Sequence, residues 1–257
     1  MQAFSHRLDR ELHIDAPPTV VFRFFMDSQR WAAWWGPGSR IDARIGGDVL
    51  IRYPGGTEAS GTVVEIEPPE RIVFTYGYVG GEPIPPGGSL VTIQLENDGG
   101  ATILRLTHEF AESGVAEQHE QGWRYQLSLF SNVVLDEVHQ DAAAAVDAWF
   151  GLWSEPDDDR RSRLLSAIST NHVRVRDRYS AISGRSELLA HIVAARRFMA
   201  GITTIRTGDI RHCQGMVLAS WVAHGADNLE RASGASVFAF GPTGLIESVT
   251  GFVNPMP

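Results

Sequence analysis

Glu120-Gln-Gly-Trp123-Arg-Tyr-Gln-Leu127-Ser-Leu-Phe130-Ser-Asn-Val-Val134-Leu-Asp-Glu-Val138 is the stretch on which the fold turns. Trp123, Leu127, Phe130, Val134 and Val138 recur at helical spacing, so the pattern predicts a long helix over 120–139 with one apolar face. The residues before it obey another period. Leu8, Leu12 and Ile14 share one parity of a strand, and strand-like segments follow near 40–53, 60–67, 71–79, 89–96 and 101–110. Pro17-Pro18 can open a short helix carrying Val20, Val21, Phe24 and Phe25, because a missing N–H is harmless there. Strand, helix, antiparallel strands and one long helix predict a curved sheet wrapped round that helix.

Beyond the stripe the order is reversed. Asp141-Ala-Ala-Ala-Ala-Val-Asp147 reads as a helical join into a helix through Trp149 and Trp153. Asp157-Asp-Asp159 caps a second helix, a strand is expected at 172–179 and a further helix at 186–200. Strands at 203–212, 215–224 and 234–241 follow, with 245–253 as the final edge. Helices first and a bent sheet afterwards predict a second α+β domain, with the boundary between 1–140 and 141–257. The stretch Gly80-Gly-Glu-Pro-Ile-Pro-Pro-Gly-Gly88 reads as a mobile loop at a pocket mouth, or as a plain surface loop.

Charge excludes several classes of function. Residues 1–140 hold 10 Arg against 19 Asp and Glu, whereas 141–257 hold 12 against 12. An acidic first half argues against nucleic acid and anionic membranes as partners, since phosphate binding needs basic stripes. The 257 residues contain no lysine, which removes Schiff-base chemistry and the lysine of a P-loop. Arg-only usage with abundant Ala and Gly suggests a GC-rich bacterial genome. The single cysteine, Cys213, reads as a buried, inert thiol at a strand end. The first residues lack the apolar core of a signal peptide and no run approaches a membrane span, so a soluble cytoplasmic protein is expected.

Two resemblances cover most of the chain. Trp34-Trp35-Gly-Pro37, Gly46-Gly47, Glu65-Ile-Glu-Pro-Pro-Glu-Arg-Ile-Val-Phe74 and Gly122-Trp123 resemble the START-like (SRPBCC) superfamily, in the branch named after the activator of Hsp90 ATPase. That resemblance spans roughly 8–140. It implies a helix-grip fold with an apolar cavity between helix and sheet, in a family that binds small apolar molecules. Trp149 through Leu165, Val173-Arg-Val-Arg-Asp177, Ser183-Gly184, Leu188–Ile192 and Gly234–Phe252 resemble the nuclear-transport-factor-2-like superfamily, close to its SnoaL-like polyketide cyclases and ketosteroid isomerases. Over about 145–253 this implies a cone-shaped α+β barrel. By this resemblance Asp177 stands where the isomerases keep their general base. Ser236 matches the position of their second acid, and Trp149 or Phe150 that of their oxyanion tyrosine, so a protonated carboxyl and a phenol are missing here.

The residues themselves support two candidate bases. Val173, Val175 and Asp177 share a strand parity, which aims the carboxylate with the apolar residues into a cavity, while Arg174, Arg176 and Arg178 take the other face. A buried carboxylate with few donors titrates high and can abstract a proton; alternatively, Asp177 ends the strand and binds the following turn. His108 shares parity with Leu104, Leu106 and Phe110, as an inward base or as a satisfied core histidine. Trp35, Tyr76 and Trp123 are expected to line the first cavity, and Trp149, Trp153, Ser236 and Phe252 the second. His119 and His139 lie far apart with no metal-ligand spacing, and no phosphate loop or dinucleotide fingerprint occurs, so no metal and no cofactor are expected.

The reading is a homodimer that binds a small, largely apolar organic molecule in one or both cavities. It either performs cofactor-free proton transfer of cyclase, isomerase or lyase type, or serves as a non-catalytic ligand-binding or stress-related accessory protein.

Overall fold

The computed structural model describes residues 4–255 and divides the chain into two units, Met1–Leu135 and Asp136–Pro257. The first contains β1 (His6–Ile14), α1 (Pro18–Arg23), α2 (Ser28–Trp35), β2 (Arg40–Ile41), β3 (Asp48–Arg52), β4 (Glu58–Glu67), β5 (Arg71–Tyr78), β6 (Ser89–Asp98) and β7 (Ala101–Phe110). The long helix α3 (Ser113–Val138) follows. The seven strands form one antiparallel sheet in the order β1-β7-β6-β5-β4-β3-β2.

Each element has a local cause. Pro18 sits in the first turn of α1, and the Asp27 side chain caps α2 by accepting from Arg30 N at 2.9 Å. The expected strand over 40–53 is broken in two at Gly46-Gly47. A Cβ on Gly47 would lie 2.0 Å from Asp42 O, so the chain crosses itself where only glycine fits. Trp123, Leu127, Phe130 and Val134 of α3 are buried as the stripe requires. Phe130 stacks on Phe25 at 5.2 Å and meets Trp34 edge-on at 4.9 Å, which ties α3 to α1 and α2. The helix begins at Ser113, ahead of the apolar stripe at 120. Its first two turns carry fewer apolar residues, so periodicity missed them.

The second unit comprises α4 (Ala142–Gly151), α5 (Asp158–Ile168), β8 (Ser169–Arg176), β9 (Ala181–Ser183), α6 (Arg185–Phe198), β10 (Thr203–Cys213), β11 (Met216–His224), β12 (Glu230–Phe240) and β13 (Ile246–Val253). Asp157 caps α5 by accepting from Arg160 N at 2.8 Å. The sheet order is β10-β11-β12-β13-β8-β9. β13 is therefore not an edge, as the chain order suggested. β8 returns parallel to it, pairing Val249 with Val175 and Thr250 with Arg176, and β9, a strand too short to show a period, forms the edge. Trp149, Phe150, Leu165, Leu188, Ile192 and Phe238 share one buried core between the helices and the sheet. Cys213 is exposed at the end of β10, contrary to the buried thiol expected, because the tight turn through Gln214 and Gly215 carries it to the surface.

Among the described residues, no helix is long and apolar enough to cross a membrane.

Candidate functional site

Asp177 follows β8, beside β13. Its neighbour across the sheet is Gly251, which pairs with Ser236 on β12. A Cβ placed on Gly251 would stand 3.4 Å from Asp177 Cβ and 3.7 Å from Ser236 Oγ, so the carboxylate and the hydroxyl flank a patch of bare backbone. These residues line a cavity of about 520 Å³ walled by Trp149, Phe150, Trp153, Trp221, Val249 and Val253. A cavity of this size and lining suits a small organic molecule. Ser236 is 5 % exposed and Trp149 3 %, so the walls are formed by packed residues. Trp153 lies two residues past the end of α4 and still lines the cavity.

Asp177 closes the strand-end turn that was one of the two readings for it. Its Oδ1 accepts from Tyr179 N at 2.7 Å and from Ser180 Oγ at 2.9 Å, closing a turn at the strand end. The carboxylate is thus half-buried and tied to two donors, where a buried carboxylate with few donors was expected, and Asp177 is among the residues lining the cavity.

Two residues complete this site differently from expectation. Phe252 does not line it. Gly251 and Val253 face the cavity, so Phe252 between them takes the opposite face, where it is 59 % exposed. Trp221 was not foreseen: its indole Nε1 is shielded from water and has no acceptor, in a side chain that forms part of the wall. Its signal in the sequence was only parity, since Trp221 shares one face of β11 with Ala219 and Ala223.

The first unit holds a cavity of about 550 Å³ lined by Trp35, Tyr53, Tyr76, Tyr78, His119 and Trp123, among others. His108 is not among its lining residues. It is fully buried, and both ring nitrogens are occupied. Trp123 Nε1–H donates to Nδ1 at 2.9 Å, so Nε2 carries the proton and donates to Ser89 Oγ at 2.9 Å; Ser89 in turn donates to Tyr76 O at 2.8 Å. Burial, with the nearby His119, holds its pKa well below the usual histidine range. His108 is therefore a satisfied core residue and offers no lone pair to a ligand.

Several polar side chains do line this cavity, among them three tyrosines and His119. The Tyr53 and Tyr76 hydroxyls share a hydrogen bond of 2.9 Å, and burial pushes both phenols above their ordinary pKa. Tyr78 OH lies 3.3 Å from His119 Nε2, whose ring is fixed by Nδ1 to Val115 O at 2.8 Å. Glu82 and Pro83 of the 80–88 loop form part of the rim. That loop is folded back on β5, with Ile84 buried and its carbonyl accepting from Tyr78 N at 2.8 Å. Among the described residues, no three His, Cys, Asp or Glu side chains gather as a metal site would require.

Residues 15–134 match the sequence model of the "Activator of Hsp90 ATPase homolog 1-like protein" family. An AHSA1-like protein from Rhizobium etli is 34 % identical, over 52 % of this chain and 86 % of that one, with a TM-score of 0.42. The first half of the chain belongs to the AHSA1-like family. Two other solved structures resemble about half of the chain. One is CalU16 from Micromonospora echinospora, at 26 % identity, 50 % of this chain, 75 % of that one and a TM-score of 0.42. The other is a putative isomerase of the SnoaL-like family from Agrobacterium tumefaciens, at 24 % identity, 46 % of this chain, 99 % of that one and a TM-score of 0.43. A search of curated proteins finds no match to this chain. The AHSA1-like match lies within the seven-stranded unit.

Proposed function

We propose that the cavity of the second unit takes a small, largely apolar carbonyl compound and that Asp177 removes a proton from carbon next to the carbonyl. The C–H bond breaks, its electron pair moves onto the carbonyl oxygen as an enolate, and the proton rests on the carboxylate. Returning that proton at another carbon is an isomerisation; attack of the enolate carbon on a second carbonyl is a cyclisation. Ser236 Oγ–H, on the other side of Gly251 from Asp177, is the donor for the developing oxyanion. The observation that carries this reading is the convergence of Asp177 and Ser236 on Gly251 inside an aromatic-walled cavity. Proton transfer of this kind uses side chains alone, so the reading calls for no cofactor. The first unit contributes a second cavity for a small organic ligand.

The same reading places the protein in a bacterial cytoplasm as a homodimer. Support for the dimer comes from the sheet face opposite the cavity, where exposed Phe252 and Ile205 lie with Arg174. The test of the proton-transfer reading is solvent exchange: 2-tetralone, an apolar bicyclic ketone with acidic C–H bonds, is incubated with the protein in D2O and deuterium uptake is followed by NMR. Uptake faster than buffer and carried by Asp177 supports it. Uptake that matches buffer leaves binding without catalysis.

A further inference from the structure

The cavity of the second unit is lined by the Asp177 carboxylate and by Arg176, Arg196 and Arg231, and the arginines differ in what compensates their charge. Arg231 is paired with Asp227, and Arg176 is exposed, where solvent screens it. Arg196 is half-buried and has no carboxylate beside it among the described residues. Helical period fixes its direction. Leu188, Ile192 and Arg196 of α6 follow one another at spacings of four, and the first two are fully buried, so Arg196 continues the stripe that faces the core. Its Nη1 donates to Glu155 O at 2.6 Å, a neutral acceptor two residues past Trp153 of the cavity wall. Trp153 in turn meets His191 of α6 edge-on at 5.9 Å, which ties this turn of the chain to the same helix.

The rest of the guanidinium is unused. Nε and Nη2 have no acceptor among the described residues, and unlike the indole nitrogen of Trp221 they are not shielded from water. Those two N–H groups form one edge of the planar fork, the edge that receives both oxygens of a carboxylate. A cation drawn half out of water with only a carbonyl as partner favours an anion, because a low local dielectric magnifies their attraction. Asp177 does not supply that anion: its Oδ1 is held by Tyr179 N and Ser180 Oγ, and among the described residues no ion pair joins it to Arg196.

We propose that the carbonyl compound taken by this cavity carries a carboxylate, which the Nε–Nη2 edge of Arg196 receives. The proposal rests on the proton-transfer reading of the site and adds the substrate class, an apolar keto acid.

The experiment compares 6-carboxy-2-tetralone with its methyl ester, the same bicyclic ketone without the charge. Affinity for the full chain is measured by calorimetry, and deuterium uptake in D2O is followed separately by NMR. The acid is expected to bind about tenfold tighter than the ester, the reach of one charge-assisted hydrogen-bonded pair. Added salt narrows that ratio, as screening requires. R196M erases it, and R196K, which keeps the charge without the fork, retains only part of it. R197M, on the exposed side of the same turn, leaves it in place, which a general charge effect would not. Equal affinities in the wild type, or a preference that survives R196M, overturn the carboxylate class. Should R196M not fold, a preference that R196K keeps whole, or that salt leaves untouched, overturns it equally. If the acid is preferred but its uptake matches buffer, the proton-transfer reading falls and carboxylate recognition stands. If 2-tetralone takes up deuterium faster than buffer while acid and ester bind alike, the reverse holds, and if neither compound binds, both fall.

Discussion

Asp177 and Ser236 approach one another across a residue that has no side chain: the point where a Gly251 Cβ would stand is 3.4 Å from Asp177 Cβ and 3.7 Å from Ser236 Oγ. Both are ordinary contact distances, so Gly251→Ala is expected to fold with little loss of stability. Its methyl group would occupy the bare patch between base and hydroxyl. Deuterium uptake by 2-tetralone should drop by roughly tenfold or more, as for a displaced substrate, while the thermal midpoint stays within a few degrees, roughly 1 kcal/mol. Unchanged exchange would show that substrate does not lie against Gly251.

The turn that Asp177 closes and the base proposed for it can be separated by choice of substitution. Asp177→Asn keeps an oxygen for Tyr179 N and Ser180 Oγ, so the turn survives, but it removes the basic carboxylate. Exchange should fall by roughly 100-fold or more with ligand affinity kept within a few fold. Asp177→Ala also loses the two hydrogen bonds and should unfold more easily by about 1–3 kcal/mol. Urea melts alongside exchange rates distinguish the two.

Trp221→Phe should raise stability. The shielded indole N–H has no acceptor, and an unmatched buried donor costs about 1–3 kcal/mol, so removing it raises the urea midpoint. A midpoint that falls would show the indole already satisfied in solution.

Acid should destabilise the first unit through His108 and His119, whose pKa values burial holds below the ordinary 6.5. In the unfolded chain these rings take up protons as pH drops through about 6.5, while in the folded unit they stay neutral. The unfolded state therefore binds more protons, and stability is lost as pH falls, by about 1.4 kcal/mol per pH unit for each fully differing histidine. Above that range the contribution is constant. Melts between pH 7 and 5 check the slope, which H119F should reduce.

The outer face of the second sheet predicts association. Light scattering should give about twice 28.2 kDa, and Phe252→Glu, which places a charge on a residue 59 % exposed, should return the monomer. A monomeric wild type at high concentration would count against the dimer.

Much of the architecture was legible because it rests on local period. The change from alternation to the Trp123–Val134 stripe marked sheet and helix, and Asp157 marked the start of α5 through its cap. Parity along β8 aimed Asp177 at a cavity, and parity along β13 should have excluded Phe252, since Gly251 and Val253 take the inner face. The return of β8 alongside β13 was not legible. Strand order depends on pairing between distant residues, and no local pattern encodes it.

The side-chain sites divide the same way. By itself the sequence determined which residues point inward, because helical and strand periods are properties of neighbouring residues. Only the tertiary structure decided what each inward residue meets. The sequence singled out His108 and passed over His119, yet Trp123 and Ser89 close both nitrogens of the first, while Val115 fixes the tautomer of the second, whose Nε2 meets Tyr78 OH beside a cavity. Ser236 joined Asp177 only when Gly251 was placed between them. Hydrogen-bond partners and cavities arise where separate elements converge, so their chemistry is set by three-dimensional packing.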